Sequence, residues 1–193
     1  MNQPKRKLKI NMIDLESAFE HHDELMETSF FLDLETGEVV MTTGEERSLL
    51  EDIYEQYGDP ETGRVDWPTI LPQLDIPDWQ KGTLAEADQV EAGYGTRYIA
   101  IPQIESYEGY NDMVAFIGTV SNPRLQARLE RAISGRGAFR YFKDVLSDYP
   151  QERERWFQFR DERMHQRVLD WLESEGIEPM EGGSLSDFFA PCV

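Results

Sequence analysis

The run NPRLQARLERAISGRGAFRYFKDVL, Asn122 to Leu146, divides at Ser134-Gly135 into two amphipathic pieces. In the first, Leu125, Leu129, Ala132 and Ile133 recur three or four residues apart on one helical face, and Arg124, Arg128 and Arg131 share another. Pro123 suits a first helical turn. In the second, Phe139, Phe142, Val145 and Leu146 form the apolar stripe, and Arg136, Arg140 and Lys143 line a flank. Gly135 fits a helix end. The stretch reads as a helical hairpin, which makes the C-terminal half of the chain predominantly helical.

Six cations on two short helices joined by Gly-Arg-Gly can converge on one anionic object, with Gly137 allowing a backbone or a phosphate to come close near a helix N-terminus. The candidate binding residues are therefore Arg124, Arg128, Arg131, Arg136, Gly137, Arg140 and Lys143. A plainer reading stands beside this one: the same cations pair with the chain's own carboxylates on a solvated face.

Outward from the hairpin, charge is distributed very unevenly. The chain of 193 residues has a formal net charge of −19. Residues 10 to 96 hold 22 acids against three cations, whereas residues 121 to 176 hold eleven cations and ten acids. Non-specific nucleic-acid binding by the whole surface is disfavoured, because phosphate contacts need local cations, but local binding at the hairpin is not. With 39% hydrophobic and 11% aromatic residues the chain can build a core. The single cysteine, Cys192, permits no intramolecular disulfide and fits a reducing compartment. No apolar run of 18 residues exists, and Lys5 to Lys9 are followed at once by Asp14 and Glu16, so the reading is a soluble cytoplasmic protein without a membrane span.

Toward the N-terminus, Leu8, Ile10 and Met12 alternate with polar residues as in a short strand, leading into a helix from about Asp14 to His22 with Asp14 as its cap. Ser29 to Leu34 and Val39 to Thr42 flank a Gly37 turn, the pattern of an antiparallel hairpin. Glu45 to Tyr57 is an amphipathic helix closed by Gly58. From Asp59 to Gly95 the signals are breakers and turns, with Trp67 and Trp79 as anchors and a weakly helical patch at Ala85 to Ala92. This stretch reads equally as an ordered excursion and as a mobile lid. Arg97 to Pro102 is a third strand, and a helix bearing Tyr107, Tyr110, Met113, Val114, Phe116 and Ile117 follows. Pro150 opens the longest helix, to about Glu175, with Trp156, Phe157, Phe159, Met164, Val168, Leu169, Trp171 and Leu172 as its apolar residues. The expected fold is α+β, a small antiparallel or mixed sheet packed against a mainly helical C-terminal half. A single domain is expected over residues 1–180, with a sheet-bearing acidic part at 8–102 and a helical part at 105–176, followed by a flexible tail at 181–193.

Chemical motifs are sparse. No phosphate-binding glycine loop is present, and Asp59 to Asp66 lacks the glycine and terminal glutamate spacing of a calcium loop. His21 and His22 diverge on a helix end, and no nucleophile is tied to His165, so no metal, cofactor or hydrolytic triad is implied. Two functions of different class remain. One is a non-enzymatic binding or regulatory module whose cations hold a phosphate-bearing or acidic partner. The other is an enzyme acting on a phosphorylated substrate, with Asp33 and Glu35 as metal ligands or base.

The segments Phe31 to Val39, Tyr98 to Pro102, Gly135 to Leu146 and Arg155 to Phe159 together resemble the bacterial uncharacterised protein family (UPF) 0158, over roughly Leu8 to Ile177. Tyr141 stands where that resemblance implies an arginine, one charge fewer in the basic stripe. The resemblance implies one conserved unit and brings no mechanism with it.

Overall fold

A computed structural model describes residues 5–21 and 26–181. It is an α+β structure with a short two-stranded parallel sheet, a three-stranded antiparallel sheet and eight α-helices among the described residues. The chain forms two compact units, one running to Gln103 and resuming at Ile177, the other spanning Ile104–Gly176.

In the first unit, β1 (Arg6–Ile10) buries Leu8 and Ile10 and leads through Asn11 into α1 (Met12–Glu20). The cap is Asn11, not Asp14: its Oδ1 accepts from the Ile13 N–H at 3.1 Å, while its amide donates to Asp14 at 2.7 Å. Met12 consequently belongs to the helix, since the cap side chain closes the first turn one residue before it. Leu15, Ala18 and Phe19 face inward as the spacing requires.

Strands β2 (Ser29–Asp33) and β3 (Val39–Thr42) pair antiparallel, and β4 (Tyr98–Ala100) joins the other side of β2. Gly37 turns this hairpin at φ +81°, and a Cβ there would stand 2.0 Å from the Lys9 carbonyl oxygen. Only glycine fits, for backbone conformation and for space alike.

Helix α2 (Gly44–Tyr57) starts with a capping box in which the Thr43 hydroxyl accepts from the Glu46 N–H and the Glu46 carboxylate accepts from Thr43. The stretch after it is ordered as α3 (Trp67–Ile70), a 3-10 turn and α4 (Asp78–Gly93), in place of one short helical patch. Leu84, Ala87 and Val90 of α4 are buried, and the first two pack with Leu50 and Ile53 of α2. Half-buried Trp67 lies against that cluster, whereas Trp79 is 70% exposed. Pro77 at the N-cap and Gly82 within the helix weaken its local signal, and burial of one face overrides them. The Asp59 carboxylate accepts from the N–H groups of Glu61 and Thr62 and from the Thr62 hydroxyl, so it closes a turn.

The second unit consists of α5 (Ser106–Thr119), α6 (Pro123–Ile133), α7 (Ala138–Ser147) and α8 (Pro150–Ser174). Its core joins Met113, Phe116 and Ile117 to Leu125, Leu129 and Ile133, and to Phe142, Leu146 and Trp156. Phe142 and Trp156 meet edge to face with centroids 4.8 Å apart, and Phe116 lies 5.2 Å from Trp156. On α8 the buried set is Trp156, Met164, Val168 and Leu172, a single stripe, which leaves Phe157 exposed. On α5 the buried polar Asp112 replaces Tyr107 and Val114, both of which are exposed. After Gly176, at φ +70°, β5 (Ile177–Glu181) runs parallel to β1, with Leu8 opposite Pro179. Leu185, Phe188, Phe189 and Cys192 lie outside the described residues, as does His22.

Candidate functional site

The hairpin α6–α7 forms because each helix can bury only one stripe. Leu125, Leu129 and Ile133 are buried on α6, and Ala138, Phe142 and Leu146 on α7. Asn122 caps α6 by accepting from the N–H groups of Arg124 and Leu125. Gly137, at φ +81°, makes the left-handed turn into α7. The space beside its Cα is not open to a ligand, because a Cβ there would meet the Tyr141 ring at 3.2 Å. Gly137 thus acts through the turn it permits.

The basic residues separate into three groups. Arg128 and Arg131 of α6 line an open groove of about 510 Å³ together with Ala132, Tyr141, Asp144 and Val145. Arg128 is held in place: its guanidinium donates to Asp148 at 2.9 Å and to the Tyr149 hydroxyl at 3.2 Å. These two hydrogen bonds, above all the one to Asp148, raise its pKa above its ordinary value. Arg131 donates to the Ala127 carbonyl one turn back, at 3.0 Å. Arg140 sits over the Tyr141 ring at 4.8 Å from its centroid, so the residue that stands in place of an expected arginine carries one on its face instead. Arg124, Arg136 and Lys143 are exposed and do not line the groove.

Of the six cations, two, Arg128 and Arg131, line the groove itself. On α7, Tyr141, Asp144 and Val145 turn to the groove, while Lys143 projects from a different side of the same helix. The sequence reading also missed Asp144 and Tyr141 as groove residues, and Asp148 and Tyr149 as the pair that positions Arg128. Their signal was present as the i, i+3, i+4 set complementary to Phe142 and Leu146.

Of the six cations, Arg128 is the only one with an ion pair among the described residues. Pairing with the chain's own carboxylates occurs instead on α8 and its neighbours. Asp112, 3% exposed, accepts from Arg163 Nε at 3.0 Å and from Arg167 at 2.7 Å, and Arg167 also approaches Glu108 at 3.5 Å. Arg155 pairs with Glu152, and Arg160 with Asp161.

Asp33 and Glu35, in the first unit, have a different employment. Asp33 is 3% exposed, and one of its oxygens accepts from Arg97 Nε and a terminal nitrogen at 3.1 and 2.7 Å. The other accepts from the backbone N–H groups of Glu35 and Thr36. Burial pushes the Asp33 pKa up, but the Arg97 hydrogen bonds, the two backbone donors and the Arg97 charge outweigh it and leave it below the ordinary carboxylate value. An ionised carboxylate saturated in this way is a poor base and a poor metal ligand. Among the described residues, no group of three His, Cys, Asp or Glu side chains is arranged to hold a metal ion.

No described helix is long and apolar enough to cross a membrane. The sequence model of the uncharacterised protein family UPF0158 matches residues 73–188, more than half of the chain and the whole of the hairpin. A UPF0158 protein of Pseudomonas aeruginosa is 27% identical over 137 residues, which cover 71% of this chain and 83% of the relative. No solved structure matches the chain.

Proposed function

We propose that this chain, which belongs to the uncharacterised protein family UPF0158, is a non-enzymatic binding module whose α6–α7 hairpin holds a phosphate-bearing partner. The observation that carries the reading is the unequal use of cations. Four of the five arginines of α8, Arg155, Arg160, Arg163 and Arg167, meet the chain's own acids, whereas Arg124, Arg131, Arg136, Arg140 and Lys143 have no carboxylate partner among the described residues. In a protein of net charge −19, exposed cations without internal counter-charges make a local surface that attracts an external anion.

Arginine dominates the set, and its planar fork donates two parallel hydrogen bonds to a phosphate. In the groove, Arg128 is prepositioned, the Tyr141 ring offers a stacking face and Asp144 can accept from a hydroxyl or amine. That combination suits a phosphate ester better than a bare anion. The reading takes the two compact units as parts of one α+β domain, and the cytoplasm, where Cys192 stays reduced, as its location.

The test is fluorescence anisotropy of the full chain with labelled inorganic polyphosphate and with a short single-stranded RNA. Exchange of Arg131, Arg136, Arg140 and Lys143 for Gln is expected to weaken binding by roughly tenfold or more while leaving the circular dichroism unchanged. Unchanged affinity in that variant refutes the site.

A further inference from the structure

The first unit has a large cavity of about 1160 Å³ that the hairpin does not use. Its lining includes three consecutive residues of β3, Val39, Val40 and Met41. Successive side chains of a strand point to opposite faces, so a cavity that touches three in a row faces the strand's edge. The flanking helices agree. His21, at the end of α1, meets the Phe30 ring at 5.2 Å, and Tyr94, at the end of α4, meets the Phe31 ring at 6.1 Å. Phe30 and Phe31 project from opposite faces of β2, so α1 and α4 cover opposite faces of the sheet. Residues of both helices line the cavity, which therefore wraps around the edge of β3.

That edge has no neighbouring strand among the described residues. The Asp33 N–H donates to the Glu38 carbonyl at 2.9 Å, and the register places Phe31 opposite Val40 and Ser29 opposite Thr42. The hydrogen-bonded pairs alternate, so the N–H and C=O groups of Val39 and Met41 point away from β2. No hydrogen bond from another element reaches them among the described residues.

We infer that the free edge of β3 is a docking groove for an extended, lysine- or arginine-bearing segment of a partner protein, which adds to the three-stranded sheet as a further strand. Backbone pairing supplies the affinity and alternate side chains the specificity. Charge selects the partner. Of the titratable groups lining the cavity, Asp33 and Arg97 neutralise each other, which leaves Asp14, Glu38, Glu46 and Glu86 against Lys9, with Tyr98 neutral. Asp14 lies on α1 and Glu86 on α4, so basic side chains leaving either face of the added strand meet an acid. The inference is independent of the anion site on α6–α7.

The probe is a labelled octapeptide of alternating Lys and Val, compared with the same peptide N-methylated on alternate residues and with a Glu-Val counterpart. The full chain is expected to bind the first and neither of the others. The exchange of the Val39 and Met41 amides, read by NMR, is expected to slow on binding. Met41→Pro removes one outward N–H and leaves the ladder to β2 in place, and Asp14→Lys with Glu86→Lys changes only exposed helix positions. Each variant is expected to weaken binding by roughly tenfold or more. Equal binding of the N-methylated peptide, unslowed exchange at Val39 and Met41, or failure of the Lys-Val peptide to bind overturns the inference.

Discussion

Replacing Asp112 by Ala tests how α5 is tied to α8. The carboxylate is 3% exposed and accepts from Arg163 at 3.0 Å and from Arg167 at 2.7 Å, which raises the Arg167 pKa further. Removing one member of a buried ion pair costs about 3–5 kcal/mol, mostly because the remaining charge is stranded. Two features reduce that figure here. Arg163 has a side chain 48% exposed and returns to water at little cost, whereas Arg167, at 18%, keeps Glu108 at 3.5 Å as a second partner. The expected loss is then about 2–3 kcal/mol, near the low end for a broken buried pair. For a chain of this length that lowers the melting temperature by about 4–12 °C. Arg163→Gln should cost below about 1 kcal/mol, as an exposed pair does. A double-mutant cycle between Asp112→Ala and Arg167→Met should show coupling above about 1 kcal/mol. Thermal denaturation followed by circular dichroism reads all of these. Loss below about 0.5 kcal/mol for Asp112→Ala, or coupling near zero, refutes the reasoning.

Gly37→Ala combines a left-handed φ of +81° with a Cβ 2.0 Å from the Lys9 carbonyl, and is expected to cost at least about 2 kcal/mol in urea denaturation, more than a strained φ alone. Phe142→Ala empties the centre of the aromatic cluster with Phe116 and Trp156 and should cost about 3–5 kcal/mol, read from the same curves. Asp33 has a folded pKa below its ordinary value near 3.8, so the stability it contributes is present above that value and is lost as pH falls through the lower folded pKa. Arg97→Met should therefore be less stable than the parent chain at pH 7, and the gap in urea midpoint should narrow on acidification below about pH 4, within the range where carboxylates titrate.

Much of the fold is legible in the sequence because burial is one-sided and periodic. Leu125, Leu129 and Ile133 on α6 and the Phe31-to-Val40 hairpin follow from spacing alone. The middle stretch is less so, because α4 holds Gly82 and starts after Pro77, and what keeps it helical is long-range packing of Leu84 and Ala87 on α2. Strand β5 was hidden by Pro179, which a strand tolerates when its N–H side carries no ladder bond. At the hairpin, the residue types of the site are readable and its grouping is not. Helical spacing places Arg140 and Lys143 on a flank, but only the turn at Gly137 and the rotation of α7 decide that Tyr141 and Asp144 reach the groove.

The salt dependence of polyphosphate binding bears most directly on the hairpin as an anion site. Each phosphate neutralised releases about 0.7 of a counterion on a single-stranded polyanion, so a plot of log affinity against log salt counts the cations engaged. A slope near −3 is expected if four or five cations engage, with Arg136→Gln and Lys143→Gln together reducing its magnitude by about 1.4. A slope that the double exchange leaves unchanged, or affinity that salt does not alter, contradicts the account.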